Sequence, residues 1–321
     1  MDGFLIINKP KWYTSFDVVA CCRKKLDMKK IGHTGTLDPM ATGVMLVCVG
    51  KATSLVEEIS FDEKIYRTTL QLGVKTDSAD ITGSIVEYYK DGKLNNNDSL
   101  KELYNNIDFK YINEFAKARS ERNIDFINNS LLTNNFNLSE EKVAGTLKNF
   151  VGEQLQSPPL YSSIKVNGRK LYEYARKGIE VDIPKRPIYI FDIYDISFNG
   201  KDKISYTVYC SKGTYIRSLN EDIAKALGTV GTTLELQRIK TGSYELKSAI
   251  NIEEISEDKI ISIENLYKEK IELDEEKAEL LLNGGRIKVS YNTGVYNIYK
   301  NGKYLGLGRV ENSLLKRYII L

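Results

Sequence analysis

Histidine and tryptophan each occur once in these 321 residues, cysteine four times and proline six times. A single histidine leaves zinc without its commonest nitrogen ligand, and Cys21, Cys22, Cys48 and Cys210 offer no C-x-x-C pair in its place. These thiols are no disulfide framework and read as buried groups in a reducing compartment. Long apolar runs are missing as well. Nothing approaches the roughly 18 residues of a membrane span, and the N-terminus lacks the basic, apolar and small-residue succession of a signal peptide. A cytoplasmic protein with no membrane partner is therefore expected. Charge of one sign is also scarce: 46 Lys and Arg stand against 43 Asp and Glu, a net +3, so any nucleic-acid surface must be a local basic face. The 42% hydrophobic and 28% charged residues describe a globular protein. The chain is long enough for one large domain and one small one.

Glycine and proline concentrate in Gly32-His33-Thr34-Gly35-Thr36-Leu37-Asp38-Pro39-Met40-Ala41-Thr42-Gly43. Three glycines and a proline in twelve residues forbid a regular helix or a central strand. The stretch is a shaped loop, and it runs into Val44-Met45-Leu46-Val47-Cys48-Val49, a continuous apolar run typical of a strand covered on both faces. An irregular polar loop on a rigid support suits a catalytic carboxylate. That residue is Asp38, which Pro39 biases towards extended backbone. The same residues also allow an Asx turn without chemistry. A P-loop is excluded, because Lys51 stands too far from the glycines and is followed by the wrong residues. Thr34-Gly35-Thr36 precedes its aspartate, the reverse of the order in phosphoryl-aspartate enzymes.

The run from Gly32 to Gly43 resembles the catalytic signature of the TruB family of tRNA pseudouridine synthases, whose aspartate between Thr-Leu and Pro is the nucleophile. Five further stretches are similar to that family. Lys9-Pro10 with Thr14-Ser15 resembles its entry loop, although Trp12 stands where a glycine is usual. Lys64-x-Tyr66, followed by Leu72-Gly73 and by Thr76, Asp77, Asp80, Thr82 and Gly83, resembles a motif whose tyrosine packs on the target base. Gln156 to Gly168, leading to Tyr172 and Ala175-Arg176, resembles a third motif. Tyr215-Ile216-Arg217 and Leu236-Gln237-Arg238 complete the set. The resemblance implies Asp38, Tyr66 and Arg217 as catalytic residues. It also implies that His33 fills space near the flipped base and that Tyr215 and Leu236 shape the pocket. Lys9, Lys165 and Arg176 are expected RNA-backbone contacts. It implies no cofactor, a tRNA T-arm or T-loop as partner, and a monomer.

Local patterning supplies the rest of the expected fold. Gly3–Ile7 reads as a strand, and Thr14-x-x-Asp17 as a capping box opening a helix with Val18, Cys22 and Leu26 on its apolar face. Lys51–Ile59 reads as a helix, Lys64–Gly73 as a strand, and Ser139 as the cap of a helix stopped by Gly152. Residues 203–209 read as a strand before a helix with Leu219, Ile223 and Leu227 as its stripe. About 87–137 reads as a helical insertion around Leu100, Leu103, Ile107, Phe109, Ile112 and Phe115, with Lys110, Lys117, Arg119 and Arg122 on a solvated face. From about residue 265, a helix Glu275–Leu282 and an Asn301-Gly302 hairpin suggest a small β-rich unit resembling a PUA-type RNA-binding domain. The expected architecture is mixed α/β (α+β) of the pseudouridine synthase type. It has a largely antiparallel central sheet in residues 1–250 and the PUA-like unit in 265–321. The second expectation is a guide-RNA-dependent pseudouridylase of the dyskerin type, and the third a non-catalytic tRNA-binding or chaperone protein. A hydrolase releasing uracil ranks below both.

Overall fold

A computed structural model of the protein describes residues 2–59, 63–96, 112–130 and 136–320. The chain opens with β1 (Gly3–Lys9) and α1 (Ser15–Lys25). It continues through the short β2 (Ile31–His33) to β3 (Thr42–Val49) and β4 (Glu63–Leu72). α1 begins at the expected capping box: the Thr14 hydroxyl accepts from the Asp17 amide while Asp17 accepts from the Thr14 amide. One sheet dominates the molecule. Its strands run in the order Ile261–Ser262, β1, β3, Gly231–Thr241, β4, Lys203–Ser211, Arg186–Phe198 and Gly152–Gln156. Each pair along that path is antiparallel except β3 with Gly231–Thr241, so the sheet is mixed and largely antiparallel.

The apolar run of β3 is explained by what lies on either side of it. Met45, Val47 and Val49 join Leu5 and Ile7 of β1 against Val18, Val19 and Cys22 of α1. Val44, Leu46 and Cys48 join Phe4 and Ile6 in a cluster that also holds Leu307 and Ile319 from the C-terminal sheet. Period-two alternation thus feeds two cores at once, and no polar face is left over. The other half of the sheet packs against α3 (Glu140–Lys148) and α5 (Ile216–Ala226), which bury Val143, Leu147, Leu219 and Ile223.

The C-terminal sheet has five strands, with Lys270–Leu273 parallel to Gly294–Lys300 and the remaining pairs antiparallel. Its helix is Glu275–Leu282, and Asn301 and Gly302 have φ of 50° and 72°, the type I′ turn that joins two strands of right-handed twist. This is the PUA-like unit. Glu58 ties it to the larger sheet by accepting from Tyr267 at 3.1 Å and from Tyr318 and Arg309.

Three expectations change. Gly50–Leu55 is a 3₁₀ turn rather than a helix reaching Ile59. Thr53 and Ser54 donate to the carbonyls of Gly50 and Lys51, each 2.7 Å away, which favours the tighter three-residue turn. The helix capped by Ser139 ends at Lys148, and Gly152, at φ 109°, starts a strand instead. The insertion begins as a hairpin, Ile85–Lys90 with Lys93–Asn96, before α2 (Ile112–Ser130). Buried Asn123 fastens α2 by donating to the carbonyls of Ile81 and Gly83. Arg119 donates to the Thr82 carbonyl, while Lys117 and Arg122 are exposed. Leu100, Leu103, Ile107, Phe109 and Lys110, and the Phe115 side chain, lie outside the described residues.

Candidate active site

Five separate segments converge on one cleft of about 490 Å³. Thr34–Asp38 form one wall, Lys64 and Tyr66 of β4 stand beside them, and Tyr161–Ser163 with Tyr172 close the far side. Lys212–Arg217, Leu236 and Arg238 complete the lining. The structure therefore brings together Asp38, Tyr66, Tyr215, Arg217 and Leu236, residues spread over almost 200 positions of sequence.

Arg217 organises the floor. It opens α5, and its side chain is almost fully buried. Nη2 donates to Asp38 Oδ1 at 3.2 Å, and Nε lies 2.9 Å from Oδ2 as an ion pair whose N–H is not aligned for a hydrogen bond. Nη1 donates to the Ser78 carbonyl at 2.7 Å, and Nη2 also to that of Tyr161 at 3.0 Å. A guanidinium held at three sites cannot swing, so it fixes the carboxylate it faces. Asp80 supplies a second counter-charge, 3.6 Å from Nη1. Burial pulls the Arg217 pKa down, but the carboxylates of Asp38 and Asp80 outweigh it and the net shift is upward. Burial pushes the Asp80 carboxyl up against the pull of Arg217. Asp38 itself remains partly open to the cleft.

Tyr66 is buried beside this pair, with Thr68, Leu70 and Leu72 on the same face of β4. Burial raises its phenol, opposed by the hydrogen-bonded Arg238 guanidinium. Gln156 clamps Tyr215 at the start of α5, accepting from its amide at 2.8 Å and donating to its carbonyl at 3.0 Å. Burial raises the Tyr215 phenol too. Asp80 and Arg238 are site residues that sequence reasoning left unassigned, although both fall in stretches with the family resemblance. Arg238 donates from Nε to the Val44 carbonyl at 2.7 Å and from Nη2 to that of Gly35 at 3.4 Å, bridging both ends of the loop that carries Asp38. Gly43, at φ 108°, leaves room for this strand crossing, since a Cβ there would sit 2.2 Å from the Arg238 carbonyl oxygen.

The expected backbone contacts divide. Lys9 is a correction: its side chain is fully buried, and Nζ donates to the carbonyls of Pro10, Tyr13 and Pro39 at 3.0, 2.5 and 3.3 Å. It is a staple between the entry turn and the Asp38 loop, with no surface for a phosphate. Trp12 strengthens the same staple, its amide donating to the Pro39 carbonyl at 2.7 Å. Its φ of 71° is the left-handed value for which the family's glycine is suited, here adopted by an indole that packs on the core. Lys165 is exposed in a two-residue hairpin turned by Asn167 and Gly168. Arg176 closes α4 (Leu171–Arg176), its side chain lying outside the described residues. His33 ends β2 one residue before the cleft wall and does not line it. Its Nδ1 is buried without a hydrogen-bond partner among the described residues, and burial, then Arg238, lowers its pKa.

Burial lowers the Lys9 pKa to about 8 against the attraction of Asp38 and Asp17. The unfolded chain keeps that proton to about pH 10.4, so between the two values the unfolded state binds more protons and stability rises with pH. Urea midpoints are expected to show the wild type gaining about 2 kcal/mol on Lys9→Met between pH 7.5 and 9.5. A constant difference between the two proteins over that range would contradict this.

The sequence matches the family described as TruB family pseudouridylate synthase (N terminal domain) over residues 23–111 and 100–216. Tyr66, Asp38 and Arg217 all fall within or at the edge of that match. The chain belongs to the TruB family of pseudouridylate synthases. It is therefore an isomerase. A TruB relative from Clostridium perfringens (strain 13 / Type A), tRNA pseudouridine synthase B, is 37% identical over 98% of this chain and 97% of its own. The Fusobacterium nucleatum subsp. nucleatum protein of the same name is 39% identical over 99% of both chains. Among solved structures, a chain of an H/ACA RNP bound to a substrate RNA containing 2'-deoxyuridine aligns with TM-score 0.60 at 19% identity. That alignment covers 99% of this chain and 84% of the other, a likeness of fold. Among the described residues no helix of this TruB protein is long and apolar enough to cross a membrane.

Proposed function

We propose that this cleft converts a uridine in the T-loop of tRNA, conventionally position 55, to pseudouridine. The observation that carries the reading is the Asp38 carboxylate held by buried Arg217 at the floor of a cleft walled by Tyr66 and Leu236. The relatives' name supplies tRNA as the substrate class. The target base has to leave its stack to reach Asp38, at a cost of a few kcal/mol that the cleft must offset. Tyr66 packs on the base and Leu236 and Tyr215 enclose it. Asp38 adds as nucleophile to C6 of the uracil or to C1′ of the ribose. The N1–C1′ bond breaks, the base turns, the C5–C1′ bond forms, N1 gains a proton and C5 loses one. Tyr66 stands where it can assist that last proton removal. The isomerisation is redox-neutral and calls for no cofactor.

His33, just outside the wall, fills the space beside the displaced base, and Lys165 and Arg176 contact the RNA backbone. We assign residues 1–250 to the catalytic domain, with the insertion at about 87–137, and 265–321 to RNA binding. The family resemblance supports a monomer. The test is pseudouridine mapping on an unmodified tRNA transcript incubated with purified protein. A single modified T-loop uridine is expected. Folded protein that modifies none of several tRNAs would point to the guide-dependent or binding-only alternatives, and release of free uracil to a hydrolase.

A further inference from the structure

Positive charge in this chain is concentrated around α1. Between Lys11 and Lys30 stand six cations, Lys11, Arg23, Lys24, Lys25, Lys29 and Lys30, and two carboxylates, Asp17 and Asp27. This net +4 exceeds the +3 of the whole protein, so the remaining residues together are slightly acidic. Asp17 is spent on the helix cap, Lys25 on the Glu253 carbonyl and Arg23 on that of Ile31. Lys24, Lys29 and Lys30 are exposed and form no ion pair among the described residues.

The same element shows unusual aromatic exposure. Phe16 is 65% exposed and Tyr13 38%, while the opposite side of α1 buries Val18, Val19 and Cys22. The Arg23 guanidinium lies over the Phe16 ring at 5.8 Å, so cation and aromatic are interleaved on one surface. This end of α1 is fastened to the catalytic loop: Ser15 Oγ accepts from the Leu37 amide at 2.9 Å and donates to its carbonyl at 3.2 Å. Tyr13 and Phe16 thus flank a residue tied to the cleft wall at Leu37. Lys24 lies farther off, about 12 Å along the helix from Phe16, and Lys29 and Lys30 follow in the segment after it.

We infer that α1 is a second RNA-contact surface of this enzyme. On it Tyr13 and Phe16 pack against nucleotides neighbouring the flipped uridine, and Lys24, Lys29 and Lys30 follow the phosphates. Exposed aromatics among uncompensated cations match a polyanion that carries stackable bases. The inference rests on the tRNA reading above. It concerns binding, so its test separates from that of catalysis.

The affinity of the full chain for a tRNA transcript is measured at several salt concentrations, together with kcat and KM, for wild type, Phe16→Ala and the triple variant Lys24→Glu/Lys29→Glu/Lys30→Glu. The four changed side chains are surface groups, and unaltered melting curves will verify folding. The triple variant is expected to bind tRNA at least about tenfold more weakly and to lose two to three from the salt slope, one for each phosphate contact removed. Phe16→Ala is expected to weaken binding about tenfold with the slope kept. Both losses fall on KM, with turnover at saturating tRNA within about twofold of wild type. Unchanged affinity and slope in both variants of an enzyme that modifies tRNA would overturn the inference and leave this face to a protein partner. Binding that both variants weaken, by a wild type that forms no pseudouridine, would uphold it and sink the catalytic reading instead.

Discussion

Asp38→Asn is expected to lower the single-turnover rate of pseudouridine formation by at least about 10⁴-fold while tRNA affinity stays within a few-fold. Asparagine has nearly the same shape, and its oxygen can still accept from Arg217 Nη2, while its NH2 replaces the oxygen facing Nε, a change confined to the cleft floor. What disappears is the negative charge facing the cleft, which the proposed mechanism uses as its nucleophile. Arg217 retains Asp80 as a counter-ion, and the melting temperature should change by only a few degrees. A variant retaining more than a tenth of the wild-type rate would show that the carboxylate orients rather than attacks. Turnover has to be compared under saturating enzyme, so that a change in binding does not masquerade as a change in chemistry.

Arg217→Met is expected to damage folding as well as catalysis. The variant leaves the Asp80 carboxylate buried without a counter-charge and the carbonyls of Ser78 and Tyr161 without this donor. Breaking a buried pair from one side costs about 3–5 kcal/mol, or on the order of 10 °C in melting temperature for a chain of this size. The sign of its pH dependence follows from Asp80. Burial already raises that carboxyl in the wild type, and removing Arg217 raises it further. A folded-state value above the unfolded one means that the folded variant binds the extra proton as pH falls. The stability deficit relative to wild type should therefore shrink between pH 7.5 and 5 and reopen on return to neutrality. A deficit that widened on acidification would mean that Asp80 is not the group left stranded. Activity should remain lost at both pH values, because protonating Asp80 does not restore the clamp on Asp38.

Elements set by close neighbours in sequence were legible before any coordinates. The Thr14–Asp17 capping box, the Ser139 cap, the Glu275–Leu282 helix and the Asn301-Gly302 turn each depend on residues within a few positions of one another. Trp12 belongs with them, since its departure from the glycine of that turn marked the position that takes φ 71°. Lys51–Ile59 shows the limit of such reading. Its composition suited a helix, and two hydroxyls bonding backwards to carbonyls decided otherwise. Asp38, on which loop chemistry and the resemblance converge, does line the cleft.

Lys9 was misread because a lysine beside a proline carries no mark of burial in its own neighbourhood. The carbonyl of Pro39 that encloses it lies 30 residues away. Asp80 and Arg238 were visible as parts of motifs but not as parts of the site, since only the sheet order sets them beside Arg217 and the catalytic loop. By itself, then, the sequence determined the irregular loop before β3, the helix caps, the turns and the alternation that buries β3 on both faces. The tertiary structure alone decided which charges are buried, what opposes them and which remain for solvent and ligand. The reason is that backbone propensity acts over a few residues, whereas desolvation and ion pairing depend on distances that only the packed chain defines.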